Sequence, residues 1–217
     1  MNERKKLIFN NVKFIKQSAE VLTCSGYGEL EARRLEYYGR ICYNSTENIS
    51  DKSYETFLTT IIENGHESVL EHGSATVMFV TDRGTTHEIV RHRLASYSQE
   101  STRYVAYGVK KCLLLIEPIG VPNDKVNEVK DSAIAAGNAY LDLIRNGVSA
   151  ENARHTLPNL TATKLIMTAN YREWRHFLKL RCSVTAHPHI RQLAREVLGQ
   201  LHAMIPVIFD DLAAVYL

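Results

Sequence analysis

Residues 29–42, ELEARRLEYYGRIC, set Leu30, Arg33, Arg34, Tyr37, Tyr38 and Ile41 at helical spacing and predict a helix with that stripe. Residues 51–65 predict a second helix. Its apolar face is Tyr54, Phe57, Leu58, Ile61 and Ile62, and Asn64-Gly65 closes it. The stretch 11–23 is strand-like, and SATVMFVTD (74–82), rich in β-branched residues, predicts a strand. Residues 85–96 predict a helix with Ile89, Val90, Arg93, Leu94 and Tyr97 as its stripe. Pro118, Gly120 and Pro122 then mark a connection. Beyond it, Asn123 or Asp124 is expected to cap a long helix. That helix carries Val126, Val129, Ala133, Ala136, Tyr140, Leu143 and Ile144 on one face and stops at Asn146-Gly147. Residues 161–170 predict a strand and 171–181 a helix. A last helix, from about Pro188, repeats Ile190, Leu193, Ala194, Val197, Leu198 and Leu201 at a period of 3.6. Helices outnumber strands, and neither a repeat nor a linker divides the chain. The expectation is one α/β (α+β) domain over residues 1–217, a mixed sheet with flanking helices.

Composition narrows the class. At 217 residues with 45% hydrophobic positions, the chain can bury a real core. Its net charge is only +2 and its pI about 8.3, below the strongly basic footprint of a dedicated nucleic-acid binder, so anion binding should be local. No window approaches the ~18 consecutive apolar residues of a membrane span, and the N-terminus lacks the apolar run of a signal peptide. Cys24, Cys42, Cys112 and Cys182 form no CxxC pair, which suits reduced thiols in a cytoplasmic protein.

Against this near-neutral background, residues 91–104, RHRLASYSQESTRY, are unusual. They hold three arginines, a histidine, three serines, a threonine and two tyrosines; only Leu94 and Ala95 are apolar. Guanidinium forks and hydroxyls are natural phosphate ligands. On the predicted helix Arg93 extends an apolar stripe, so its charge is either buried against a partner or aimed into a site. A solvated basic turn is the plain alternative. A second cluster, NYREWRHFLKLR (170–181), sets Trp174, Phe177, Leu178 and Arg181 at i, i+3, i+4 and i+7, so an arginine again ends an apolar stripe. Arg172 and His176 share another face, and an ordinary amphipathic helix with stray charges would also fit.

In GHESVLEHG (65–73), His66, Glu67, Glu71 and His72 suggest a metal, but the histidines are six apart and cannot share a helical face as in HExxH. No metal is expected here. HPH at 187–189 reads as a capped helix start. The chain has no GxGxxG, no GxxxxGK[ST] and no GxSxG, so any nucleotide must be held by side chains. A basic-aromatic RNA-binding module and a metal-dependent hydrolase built on His66 and His72 are the competing classes.

Arg91-His92-Arg93 followed by seven residues and Ser101 resembles the RHR-x7-S signature of the flavin-dependent thymidylate synthases, the ThyX family. GHES upstream, ARHTLP at 153–158 and NYREWRHFLKLR leading into AHPHIR agree with it, and the resemblance runs over roughly residues 30–215. It implies a single α/β domain in a homotetramer, with FAD and dUMP at subunit junctions. It further implies reductive methylation of dUMP to dTMP, with 5,10-methylenetetrahydrofolate as carbon donor and NADPH as reductant. No nucleic-acid or membrane partner is implied.

Carried over by position, Arg91, His92 and Arg93 are expected at the FAD, with Ser68 on it and His66 near flavin and folate. Asn170, Tyr171 and Arg172 match a flavin-binding run, followed by His176. Glu88, Ile89, Val90 and Arg91 are expected at the nucleotide. Gln99, Glu100, Ser101, Thr102 and Arg103 match the loop around the dUMP phosphate and sugar, with Gln99 also toward the cofactor. Arg154 is a further dUMP arginine, and Arg181 lies by the uracil ring as the catalytic group. Gln99 departs from the glutamate of many members. Ser101 could be a covalent nucleophile only with an activating base, which neither order nor spacing supplies; hydrogen bonding to the nucleotide is the expected role.

Overall fold

The computed structural model describes residues 12–108 and 112–217. The charged start of the chain, with Asn11 of the strand-like stretch, lies outside them. The described residues form two compact units, each discontinuous in sequence. One comprises 12–18, 80–90, 98–108 and 112–165, the other 19–79, 91–97 and 166–217.

In the first unit, β1 (Val12–Ile15) pairs in parallel with β5 (Leu113–Ile116), Val12 opposite Leu113 and Ile15 opposite Ile116. The long helix α4 (Val126–Arg145) covers this pair. Ala133, Gly137, Tyr140 and Leu141 turn inward and meet Leu113, Leu115 and Ala153 in one apolar cluster. A Cβ at Gly137 would come within 2.8 Å of the end of the Leu113 side chain, so any larger residue there would make Leu113 shift. The cap differs from expectation: Lys125 is the N-cap and no side chain closes the first turn. The helix does end at Asn146, followed by Gly147 at φ +83°, as the glycine stop requires. The short helix α5 (Ala150–Ala153) runs into a 3-10 turn at Arg154–Thr156. Also in this unit, α3 (Arg83–Ile89) starts where Asp82 accepts from the Thr85 N–H at 2.7 Å and ends after two turns.

In the second unit, α1 (Gly28–Cys42) packs on α2 (Ser53–Glu63). A Cβ at Gly39 would lie 2.6 Å from Phe57, which makes glycine the condition of this contact. The buried face of α1 is not the expected one. Glu31, Ala32, Leu35, Glu36 and Gly39 turn inward, while Leu30, Tyr37 and Ile41 are 79%, 49% and 57% exposed. Two glutamates can be buried because Arg34 and Ser25 bind Glu31 and Arg40 binds Glu36, at 2.6–2.7 Å. Helices α6 (Tyr171–Arg181), α7 (Pro188–Met204) and α8 (Pro206–Tyr216) pack on one another. The six positions expected from the period of α7 are all fully buried. The separation of α8 at Pro206 was not expected; proline lacks the N–H that a continuous helix needs.

The remaining strands are β2 (Ser18–Cys24), β3 (Ser74–Asp82), β4 (Ala95–Gln99) and β6 (Ala162–Asn170), in the order β2-β3-β6-β4. Strands and flanking helices thus give the α/β class, with two sheets rather than one. The helix expected over 85–96 is corrected: α3 ends at Ile89, the chain turns through 90–93, and Ala95–Gln99 is a strand. No helix among the described residues is long and apolar enough to cross a membrane.

Candidate active site

The turn after α3 sets the burial of the Arg91-His92-Arg93 motif. Arg91 and Arg93 are exposed and His92 is 5% exposed, so the buried member is the histidine and not Arg93. With no helix at this point, the stripe that was to carry Arg93 does not exist.

Helix α6 receives the imidazole. Asn170 caps this helix, its side chain accepting from the Glu173 N–H at 2.9 Å. Trp174, Phe177 and Leu178 are fully buried, and Arg181 continues the same stripe partly buried, as the spacing predicts. Arg181 Nε donates to His92 Nε2 at 3.2 Å, and His92 Nδ1 lies 3.1 Å from Glu173 Oε1. The Phe177 ring meets the imidazole edge-on at 4.8 Å between centroids, and His176 lies at 5.6 Å. The Tyr97 hydroxyl donates to the His92 carbonyl at 2.6 Å. Desolvation, then the charges of Arg181 and His176, hold the His92 pKa down at about 4. Burial, with Glu173 adding, pushes Tyr97 up to about 12.

Ligand atoms of His92, Glu173 and His176 lie within 4.8 Å of one another, close enough for a metal in principle. The Arg181 guanidinium on His92 opposes a second cation there. The pair His66 and His72 is not brought into such a group; His72 packs edge-on to Tyr38.

The other residues expected at the cofactor are, like His92 and α6, in the second unit, Gln99 excepted. His66 and Ser68 are exposed around the 3-10 helix Glu67–His72, and His66 lines an open pocket of about 600 Å³ with Arg40, Tyr43, Phe57 and Asn64. Arg172 and His176 are exposed, and Glu71 holds Arg172 at 2.6 Å. Tyr171 is fully buried, its hydroxyl 3.1 Å from Ser25, and so offers no side chain to a ligand. Arg91, Arg93, Arg172, His66, Ser68 and His176 are all exposed, and their guanidinium, imidazole and hydroxyl groups are donors of the kind a pyrophosphate takes.

Most residues expected at the nucleotide are in the first unit. Glu88, Ile89 and Val90 close α3; Ile89 is fully buried and is a core residue. Gln99 donates to Thr86 Oγ1 at 3.0 Å. The Glu100 N–H donates to the Lys164 carbonyl at 3.0 Å, and Glu100 lines a cavity of about 550 Å³ with Tyr107, Thr163 and Lys164. Ser101 Oγ accepts from the Arg103 N–H at 3.3 Å. Thr102 is buried. Arg103 reaches Glu151 at 3.5 Å and lies over the Tyr104 ring. Glu151 is three residues before the exposed Arg154 on the same helical run, so both arginines flank one short helix. Exposed guanidinium groups beside a serine hydroxyl suit a phosphate.

Sequence reasoning missed Glu173 and Glu151. Asn170-x-x-Glu173 is the spacing of a capping box, a signal that was available; Glu173 uses its backbone for the cap and its carboxylate for His92.

A family model described as "Thymidylate synthase complementing protein" matches residues 28–207. The chain is similar to a flavin-dependent thymidylate synthase of Geobacter sulfurreducens, 41% identical over 180 residues, or 79% of this chain and 78% of the relative. It is likewise similar to the protein of that name from Mycobacterium tuberculosis H37Rv, 37% identical over 198 residues, covering 82% and 78%. In fold it resembles PolB, a UMP/dUMP methylase from Streptomyces cacaoi solved with 5-Br dUMP, with a TM-score of 0.77 at 22% identity over 95% of this chain and 98% of that one. With the family matched over most of its length, the chain belongs to the flavin-dependent thymidylate synthases, an enzyme family whose cofactor is FAD.

Proposed function

We propose that this protein methylates dUMP at C5 to give dTMP, taking the carbon from 5,10-methylenetetrahydrofolate and the reducing equivalents from NADPH, with tetrahydrofolate and NADP⁺ released. FAD, when bound, supplies the redox chemistry. The observation that carries the reading is the Arg181–His92 hydrogen bond, which orients a cation at the end of an apolar stripe. Uracil C5 is a weak nucleophile. A fixed guanidinium at the N3–C2=O edge stabilises negative charge on the ring and so raises electron density at C5.

Arg91, Arg93, Arg172, Ser68, His66 and His176 hold the cofactor in this reading, with Asn170 shaping the helix start. Gln99, the backbone of the 100–102 segment, Ser101, Arg103 and Arg154 hold the nucleotide, and Glu88 approaches it. The enzyme works as a homotetramer. The exposed Leu30, Tyr37 and Ile41 on α1 support this, being an apolar face available to another subunit.

The purified protein should be yellow, with the absorbance of FAD, and should form dTMP from dUMP, methylenetetrahydrofolate and NADPH. A colourless protein that fails to take up added FAD would overturn the reading. Among the described residues, the hydrogen-bond partner of the Ser101 hydroxyl is the Arg103 N–H, which is not a base. Ser101→Ala should therefore weaken dUMP binding several-fold and leave turnover measurable at saturating dUMP, read from initial rates across a dUMP titration.

A further inference from the structure

We propose that Glu173 is a positioning residue for Arg181, acting through the imidazole of His92. The inference rests on the role given to Arg181 above.

The donor logic assigns the ring. A guanidinium N–H can only donate, so His92 Nε2, at 3.2 Å from Arg181 Nε, is the acceptor. The ring proton is then on Nδ1, where it is donated to the Glu173 carboxylate at 3.1 Å. A carboxylate on one nitrogen fixes the tautomer and makes the other nitrogen a better acceptor. Phe177 and His176 against the ring, and Tyr97 on the His92 carbonyl, limit its rotation. With its pKa near 4, His92 stays neutral at working pH, so the Nε2 lone pair remains available. Glu173 thus helps to set, from two turns up the same helix, where the Arg181 guanidinium plane lies.

Protonation of Glu173 undoes the arrangement. Burial pushes this carboxyl above its ordinary range, with His176 opposing. The titratable groups facing it are His92 and Tyr97 from the 91–97 segment and His176 on its own helix. A neutral carboxyl can donate to Nδ1, the ring proton then sits on Nε2, and it confronts the Arg181 N–H. Two opposed donors cannot bond, and Arg181 Nε loses His92 as its acceptor. Because the folded Glu173 pKa is raised, this loss begins above the ordinary carboxylate range as pH falls.

The test compares wild type, Glu173→Asp and Glu173→Gln, all loaded with FAD. Four readouts are taken: FAD retention, NADPH oxidation, dUMP affinity by calorimetry, and single-turnover dTMP formation across pH. Glutamine can donate or accept and so releases the tautomer. All three proteins should hold FAD and oxidise NADPH alike. Glu173→Gln should form dTMP on the order of 10- to 100-fold more slowly and lose the acid limb of the profile, with Glu173→Asp between it and wild type. Equal dTMP rates and pH profiles in the three proteins would overturn the inference. So would loss of FAD in step with activity in both variants, which marks a merely structural role. A wild type that binds FAD but makes no dTMP overturns the proposed activity, and this inference with it.

Discussion

Arg181→Lys is expected to keep FAD and NADPH oxidation but to lose dTMP formation by on the order of 10²-fold or more, the scale for removing one oriented donor. The structure gives the reason. Arg181 stands on the stripe of Trp174, Phe177 and Leu178, all fully buried, and its Nε is committed to His92. That bond helps to set the plane of the guanidinium, and in the proposed role partial desolvation strengthens its field at the uracil ring. Lysine keeps the charge but is a point charge on a flexible stem. It can donate to His92 or turn toward the uracil, and has no rigid plane with which to do both. The measurement is single turnover: reduced enzyme mixed with dUMP and methylenetetrahydrofolate, with dTMP quantified. If Arg181→Lys forms dTMP near the wild-type rate while Ser101→Ala forms none at saturating dUMP, the two roles are reversed and Ser101 becomes the nucleophile.

The largest stability effect is expected at Arg175, a residue that no sequence pattern singled out. Its side chain is fully buried in the second unit. Two guanidinium nitrogens meet the Asp211 carboxylate at 2.7 Å each, Nε meets Glu67 at 3.2 Å, and one terminal nitrogen also donates to the Ile208 carbonyl. One cation thus ties α6 to α8 and to the 3-10 helix at Glu67–His72. Arg175→Met fills similar space but strands these acceptors. Breaking a fully buried charge pair on one side costs ~3–5 kcal/mol; because Asp211 is 49% exposed and can rehydrate, the cost here falls to about 2 kcal/mol, which lowers the melting temperature by roughly 6 °C in a chain of this size. Calorimetry of the two proteins checks it, and a difference below about 2 °C would show that the network contributes little. The effect should depend on pH. Burial alone would raise the Asp211 pKa, but the hydrogen bonds and charge of Arg175 outweigh this and leave it below the ordinary value. A depressed folded pKa gives stability that is fully present above the unfolded carboxylate value of ~3.9. It is lost as pH falls through the lower folded value. The gap between wild type and Arg175→Met should therefore be widest near neutrality and narrow below about pH 4.

Much of the fold is legible from local period. The strand at 74–82, the helix at 171–181 and the buried positions of α7 follow from spacing alone, because side-chain direction repeats with the backbone. The position of Arg181 on an apolar stripe follows in the same way, and the RHR-x7-S spacing points to the family before any fold is known. The face of α1 could not be read so. A pattern that counts charge as solvent-facing turns Glu31 and Glu36 outward, whereas inside Arg34 and Ser25 bind Glu31 and Arg40 binds one oxygen of Glu36. The segment after Ile89 failed for a different reason. RHRLASYSQ suits helix or strand, and the outcome is set by β6, the strand beside β4, some seventy residues along the chain.

The candidate site divides along the same line. The sequence by itself determined which groups are available: the arginines, hydroxyls and histidines of 91–104 and 170–181, and the helix register that carries Arg181. Only the tertiary structure decided that His92 is the buried member of its motif, and that it meets Glu173 and Arg181, 81 and 89 residues away. Local spacing constrains neighbours within a turn or two. The partner of a buried imidazole, and with it the nitrogen that keeps the proton, depends on which distant helix packs against it.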